Sequence, residues 1–229
     1  EITSKKSIMK KILLSPVVHF FLIISIITFM MIPTFLQANN IKNSAVVFMY
    51  HKFNVSQYPS TNIKIEQFER HLEEFSKSKY SIKSLEYIVD TITNDITLPS
   101  GTIGISVDDA DRSFLTTAWP RIEKYGFPIT LFVTTNTISP NNKNYLNWDE
   151  IRYLKNKGVT IGAHSHSHRH LPELTIDELK KEIEDSNKVF LKELGEIPLL
   201  FAYPYGEANK KIIELLKKYK FKVAFGQHS

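Results

Sequence analysis

Residues 102–109 read Thr-Ile-Gly-Ile-Ser-Val-Asp-Asp, an apolar run that ends at two carboxylates. A short apolar run rich in isoleucine and valine is typical of a parallel strand that is buried on both faces. Further runs of the same kind lie at 45–50, 129–133, 159–163, 199–202 and 222–225. The sequence therefore predicts a set of short, buried strands.

Amphipathic segments separate these strands. Helices are predicted at 65–78, 84–92, 112–124, 148–156, 175–194 and 207–219. The fifth has the clearest ends, because Thr175 and Glu178 form a capping-box sequence and Gly195 can end the helix in a left-handed conformation. Alternation of strands and helices predicts a parallel α/β architecture, either a barrel or an open doubly wound sheet.

The N-terminal segment has the pattern of a targeting signal. Four lysines (Lys5, Lys6, Lys10 and Lys11) precede an almost wholly apolar run at 17–36, and polar residues follow it. This order is typical of a signal peptide, and the run is also long enough for an uncleaved membrane anchor, which needs about 20 residues. We expect a signal peptide or anchor helix at 1–38, a linker at 39–44 and an exported domain at 45–229, periplasmic or extracellular.

Composition narrows the class of function. The net charge of +5 forms no basic stripe interleaved with aromatic residues, so we expect no nucleic-acid partner. The 42% of hydrophobic residues, including 15 phenylalanines, is sufficient for a packed core. The sequence has no cysteine, so any metal ion must be bound by histidine and carboxylate side chains.

Polar residues follow the predicted strands at the positions where α/β folds place their chemistry, beyond the carboxyl ends of the strands. Asp108 and Asp109 follow the second predicted strand. A histidine tract follows the fourth strand, with His164, His166, His168 and His170. Smaller polar sets follow the other strands, namely Tyr50-His51, Thr134-Thr135 and Tyr203-Pro204-Tyr205-Gly206.

Whether His164 and His168 can bind the same metal ion depends on the backbone conformation between them. In a continued strand, their Cα atoms would be about 13 Å apart, which is too far to share one ion. In a helical loop after Ala163, the same spacing stacks the two imidazoles on one face, where both can bind a zinc ion. The alternative is a surface histidine tract with loose metal affinity.

The adjacent carboxylates of Asp108 and Asp109 point in different directions at a strand end, so they can have different tasks. One can bind a metal ion, and the other can act as a general base towards water that the metal activates. The alternative is a solvated turn, since Asp-Asp-Ala-Asp at 108–111 would also suit one.

Three motifs together resemble a known family. Ser-Val-Asp-Asp at 106–109, His-Ser-His-Ser-His at 164–168 and Tyr-Pro-Tyr-Gly at 203–206 are similar to the first three motifs of the polysaccharide deacetylases, the NodB-homology family or carbohydrate esterase family 4. The resemblance implies a distorted (β/α) barrel. It also implies metal-dependent hydrolysis of N-acetyl groups on an N-acetylglucosamine-type polysaccharide.

The resemblance also implies a role for individual residues. Asp108 would be the general base, and Asp109, His164 and His168 would bind one divalent metal ion, usually zinc. The backbone N–H of Tyr205 would help to hold an oxyanion.

The aromatic residues near these motifs suggest contacts with the substrate. Tyr203 and Tyr205 can stack on sugar rings, and His51 can line the cleft. The form Tyr-Pro-Tyr-Gly, without an arginine, most resembles deacetylases that act on poly-β-1,6-N-acetylglucosamine.

Departures from the family pattern leave other functions open. Ala110 stands where the family has glycine, which predicts backbone strain, and Ala202 replaces an arginine that would orient Asp108. The family's Leu-x-His motif, which carries a general acid, does not occur, and residue 1 is not methionine, so we expect a chain truncated at both ends. The alternatives are an acetyl-ester hydrolase on xylan-like polymers and an inactive carbohydrate- or metal-binding module.

Overall fold

The computed structural model describes residues 43–227. Its strands are β1 (Val46–Tyr50), β2 (Lys52–Phe53), β3 (Asn62–Ile63), β4 (Ser81–Ile82), β5 (Thr102–Val107), β6 (Thr130–Val133), β7 (Thr160–Ala163), β8 (Leu200–Ala202) and β9 (Val223–Phe225). Its α-helices are α1 (Ile65–Phe75), α2 (Leu85–Thr93), α3 (Trp119–Tyr125), α4 (Trp148–Asn156), α5 (Ile176–Leu194) and α6 (Lys210–Lys218). Each predicted strand and each predicted helix has a counterpart in these elements.

The main sheet has the strand order β1-β5-β6-β7-β8-β9, with β4 also paired to β5, and every pairing is parallel. Within residues 43–227, β1 and β9 do not pair with each other, so the sheet is a half-barrel with two edges. The predicted parallel α/β fold is confirmed, and the predicted distorted barrel takes the form of this half-barrel. The signal or anchor helix predicted at 1–38 lies outside the described residues.

The sheet is strongly curved. The rings of Phe132 in β6 and Phe225 in β9 have centroids 5.7 Å apart, although a flat sheet would separate these strands by about 14 Å. Gly162 of β7 leaves room for the Phe132 ring on this face, because a Cβ atom there would lie 2.4 Å from the ring. The concave face is therefore narrow, and side chains from distant strands meet across it.

The two faces of the sheet are covered differently, as the alternation of side chains along a strand requires. Ile103, Ile105 and Val107 of β5 belong to the larger core, together with apolar residues of α1, α3, α4, α5 and α6. Gly104 points the other way, towards Leu85 of α2. The concave face thus receives α2, and its remainder is open to a cavity at the carboxyl ends of the strands.

Helix ends follow local sequence rules in most places. Thr175 and Glu178 form the predicted capping box at the start of α5, and Gly195 ends that helix with φ 75°. The helix predicted at 112–124 is different, because a π-helical segment at Phe114–Ala118 precedes α3. Pro120 has no N–H to donate to the carbonyl four residues earlier, and its ring disfavours a regular α-turn there.

No helix among residues 43–227 has the length and apolar character needed to cross a membrane.

Candidate active site

The structure brings Asp109, His164 and His168 together from the ends of β5 and β7. The Nε2 atoms of the two histidines are 3.1 Å apart. Asp109 Oδ1 lies 3.6 Å from His164 Nε2 and 3.4 Å from His168 Nε2. These are the three residues that the motif resemblance implies as metal ligands.

The spacing of these three atoms fits a single zinc-like ion. Ligands about 2.0–2.1 Å from a tetrahedral centre lie about 3.3 Å from one another. The three separations in the structure, 3.1, 3.4 and 3.6 Å, bracket that value. The donor set, two imidazole nitrogens and one carboxylate oxygen, is also one that zinc accepts, so the residues present can hold the implied metal.

The histidine loop, residues 164–168, achieves this convergence without a helix. Residues 164–170 have no regular secondary structure, so the two imidazoles meet neither on a helix nor along a continued strand. Instead, Ser165 and His168 adopt left-handed backbone conformations, with φ 60° and 58°. The His168 N–H donates to Ser165 Oγ at 3.1 Å, which closes the loop on itself.

His164 is held in the orientation that metal binding needs. Its ring is 2% exposed, and Nδ1 lies 2.8 Å from the carbonyl oxygen of Ala202. Because a carbonyl can only accept, Nδ1 carries the proton and Nε2 keeps its lone pair facing Asp109 and His168. Burial lowers the pKa of His164 to about 4, so the ring is neutral at physiological pH.

Asp108 is a buried carboxylate with an unmet hydrogen-bonding capacity. It is 4% exposed, and its Oδ1 atom has no hydrogen-bond partner among the described residues. Burial, and secondarily the charge of Asp109, raise the pKa of Asp108 to about 8. A carboxylate in this state has a strong tendency to accept a proton.

Backbone strain is concentrated in the segment that carries both carboxylates. Asp109 and Ala110 both have positive φ, 72° and 57°. The strain predicted for Ala110 in place of glycine is therefore present. Ala110 is fully buried, and its carbonyl accepts from the Leu146 N–H at 3.0 Å, so the surrounding structure holds the strained conformation.

A cavity of about 720 Å³ lies at the carboxyl ends of the strands. Asp108, Asp109, His164 and His168 line it, and the predicted substrate residues His51, Tyr203 and Tyr205 also line it. Burial lowers the pKa of His51. Tyr203 is only 8% exposed, which leaves little of its ring for contact with a sugar.

Tyr205 is held in an unusual position beside the histidine loop. Its φ is 59°, and its side chain is 53% exposed. The ring of His170 stacks on it at 3.8 Å, and His170 Nδ1 lies 2.9 Å from Glu207 Oε2. The Tyr205 N–H has no acceptor within residues 43–227, so it is available to a ligand.

The residues that brace the loop were missed in part by sequence reasoning. His166 Nδ1 lies 2.9 Å from Thr135 Oγ1, in one of the polar sets that follow the strands. Glu182 of α5 was not identified, although it contacts the loop directly. The sequence pattern does indicate its importance, because Glu182 is a charged residue within the apolar stripe that Leu179 and Ile183 define.

The fold and the site define a hydrolase of the α/β half-barrel type. The family model described as polysaccharide deacetylase matches residues 95–224, more than half of the chain. The chain belongs to the polysaccharide deacetylase family, and the predicted family and enzyme class are confirmed.

Individual relatives are distant. YxkH of Bacillus subtilis, whose name assigns it to the same family, is 24% identical over 172 residues, which are 75% of this chain and 60% of YxkH. This chain thus spans less than two thirds of that relative. The poly-beta-1,6-N-acetyl-D-glucosamine N-deacetylase of Staphylococcus aureus is 22% identical over 209 residues, 80% of this chain and 72% of the relative.

Solved structures share the fold. The deacetylase PplD of Streptococcus pyogenes, determined with acetate, superposes with a TM-score of 0.73 at 20% identity, over 80% of this chain and 83% of PplD. IcaB of Ammonifex degensii gives the same TM-score at 20% identity, over 80% of this chain and 84% of IcaB.

Proposed function

We propose that this protein is a metal-dependent hydrolase that removes N-acetyl groups from an N-acetylglucosamine-type polysaccharide. One observation carries the proposal: the triad of Asp109, His164 and His168 shares one cavity with the buried Asp108, whose Oδ1 has no hydrogen-bond partner in the described part of the chain. A metal site and a proton acceptor in contact with the same cavity are the minimum that hydrolysis of an acetamide requires.

Asp109, His164 and His168 would hold the divalent ion, in the manner of zinc sites that consist of two histidines and one carboxylate. When bound, such an ion polarises a carbonyl group and lowers the pKa of water. Asp108, buried beside the triad, would accept the proton of the attacking water through the Oδ1 atom, which has no partner among residues 43–227. His164 keeps its orientation through the hydrogen bond to Ala202.

The Tyr205 N–H is the second element of the mechanism. The positive φ of Tyr205 turns the backbone beside the cavity, and the N–H has no acceptor in the described part of the chain. A fixed backbone donor of this kind stabilises the negative oxygen of a tetrahedral intermediate, typically by about 3 kcal/mol.

The names of the relatives and the N-terminal sequence support a proposal for the polysaccharide substrate. The Staphylococcus aureus relative is named for poly-β-1,6-N-acetylglucosamine, and we propose a related exported polymer for this protein. The basic and apolar segments at the N-terminus support a location outside the cytoplasm, with the polymer.

Acetate release tests the proposal. The full chain is loaded with zinc and incubated with β-1,6-linked N-acetylglucosamine oligomers and, separately, with acetylated xylan. We expect acetate from the oligomers, and we expect its release to stop with a chelator and to return with added zinc. Faster release from acetylated xylan would favour the esterase alternative, and binding of either polymer without release would indicate a binding module.

A further inference from the structure

The backbone carbonyl groups of the histidine loop accept hydrogen bonds from the segment that follows β6. The carbonyl oxygen of His164 accepts from Thr134 Oγ1 at 3.1 Å, and that of Ser165 accepts from the Thr135 N–H at 3.3 Å. The carbonyl oxygen of His166 accepts from the Asn136 N–H at 2.8 Å. Consecutive carbonyl groups of an irregular loop are therefore all partnered by one neighbouring segment.

Two backbone N–H groups of the same loop donate hydrogen bonds to a single side chain, that of Glu182. Glu182 Oε2 accepts from the Ser167 N–H at 2.9 Å and from the His166 N–H at 3.2 Å. Glu182 Oε1 accepts from the Ser167 hydroxyl. One carboxylate thus satisfies three donors that lie between the two histidines of the triad.

The position of Glu182 in helix α5 directs its carboxylate towards the histidine loop. It lies near the middle of α5, is 7% exposed, and occupies the buried face of the helix beside Ile183. It belongs neither to the triad nor to the lining of the cavity. A buried carboxylate is costly unless its oxygens are bonded, and here the loop supplies the donors.

The loop needs such a support because its conformation is strained. Ser165 and His168 both have positive φ, and each such non-glycine residue costs on the order of 1–3 kcal/mol. Hydrogen bonds to an ionised carboxylate are stronger than bonds between neutral groups, so three of them can hold this conformation. Without them, His168 would be the member of the triad most free to move, because its ring, unlike that of His164, has no hydrogen bond to the backbone among residues 43–227.

We propose that Glu182 is a positioning residue that sets the affinity and geometry of the metal site by fixing the loop between His164 and His168. The proposal rests on the proposed function, since it requires that the triad bind a metal ion. Residues that orient metal ligands typically change metal affinity by tenfold to a hundredfold when they are replaced.

The test compares Glu182→Gln with Glu184→Gln in the full chain. Glutamine keeps the size of the side chain, but its amide group is a donor that faces other donors. Glu184 lies on the same helix, is exposed, and contacts Tyr219 instead of the loop, so its variant controls for a lost charge on α5. Zinc affinity is measured by competition with a chromophoric chelator, and site geometry is measured from the visible absorption of bound Co²⁺.

We expect Glu182→Gln to raise the zinc Kd by tenfold to a hundredfold and to change the Co²⁺ spectrum, while Glu184→Gln leaves both unchanged. A zinc Kd within twofold of the wild type, with an unchanged Co²⁺ spectrum, would overturn the role of Glu182. If the wild type itself binds no metal, the proposed function fails, and this outcome is distinct from the previous one.

Ser167→Ala provides a second route if Glu182→Gln does not fold. It removes only the hydroxyl donor to Glu182 and leaves both backbone donors in place. We expect a smaller increase in the zinc Kd, of several fold, with circular dichroism of the metal-free protein unchanged. An unchanged Kd in this folded variant would count against the proposal.

Discussion

The Nε2 atoms of His164 and His168 lie 3.1 Å apart in a segment that is neither strand nor helix. Left-handed conformations at Ser165 and His168 produce this proximity, and Asp109 approaches the pair from a different strand end. Asp108, the residue before Asp109, is buried, and its Oδ1 has no hydrogen-bond partner among residues 43–227. The site therefore combines a group of metal-binding atoms with a separate proton acceptor.

Asp108→Asn separates these two functions. We expect acetate release to fall by about 10²–10⁴-fold, because an amide cannot accept the proton from water. The zinc affinity should stay near that of the wild type, since Asp108 is outside the triad. Acetate release and zinc titration on the same preparation check both statements, and a folded variant that retains more than a tenth of the activity would remove Asp108 from the role of base.

The same substitution predicts a pH effect on the stability of the metal-free protein. The pKa of Asp108 is about 8 in the folded chain, against its usual value of 3.8. Between these values the folded state holds a proton that the unfolded state has released, so the free energy of unfolding falls as pH rises, by at most about 1.4 kcal/mol per pH unit. Asp108→Asn removes this contribution.

Denaturant unfolding of the metal-free wild type and of Asp108→Asn, from pH 4 to pH 8, measures this difference. The free energy of unfolding of Asp108→Asn, relative to that of the wild type, should increase with pH across this range. A difference that stays constant between pH 5 and pH 8 would mean that Asp108 is not the buried, proton-binding group described here.

Ala110 gives a test of backbone strain. It is fully buried with φ 57°, so Ala110→Val adds branched bulk in a conformation that β-branched residues avoid. We expect it to lower the free energy of unfolding by about 2–3 kcal/mol. Ala110→Gly should stay within about 1 kcal/mol of the wild type, since relief of strain and the greater freedom of the unfolded chain oppose each other.

Denaturant unfolding at neutral pH checks both variants of Ala110. Equal stabilities of the valine and glycine variants would show that the left-handed conformation at this position carries no cost.

Much of the fold was predictable because buried parallel strands leave a strong signal. The strand predicted at 102–107 has the same bounds in the structure, since apolar composition and length define such a strand. The strands β2, β3 and β4 have two residues each, too short for any periodic pattern. The Phe132 ring packs over Gly162 of the neighbouring strand, a contact between strands that no local pattern contains.

The candidate site was predictable in its residues and less so in its shape. Motif order was enough to name Asp109, His164 and His168, and the structure brings them together. The path between the histidines was not predictable, because contacts from Thr135 to the Ser165 carbonyl and from Glu182 to the Ser167 N–H accompany the left-handed serine, and local sequence does not contain them. Glu182 was not identified from the sequence because its helix contains many charged residues. Only its position on the apolar stripe distinguishes it from the other glutamates.

X-ray absorption spectroscopy of the zinc-loaded protein tests the central claim most directly, because it reports the atoms around the ion. We predict one zinc per chain with light ligands at about 2.0–2.1 Å and the scattering pattern of two imidazole rings, reduced to one ring in His168→Ala. A zinc ion surrounded by oxygen atoms alone, or an imidazole count that His168→Ala leaves unchanged, would contradict the claim that His164 and His168 share one metal ion.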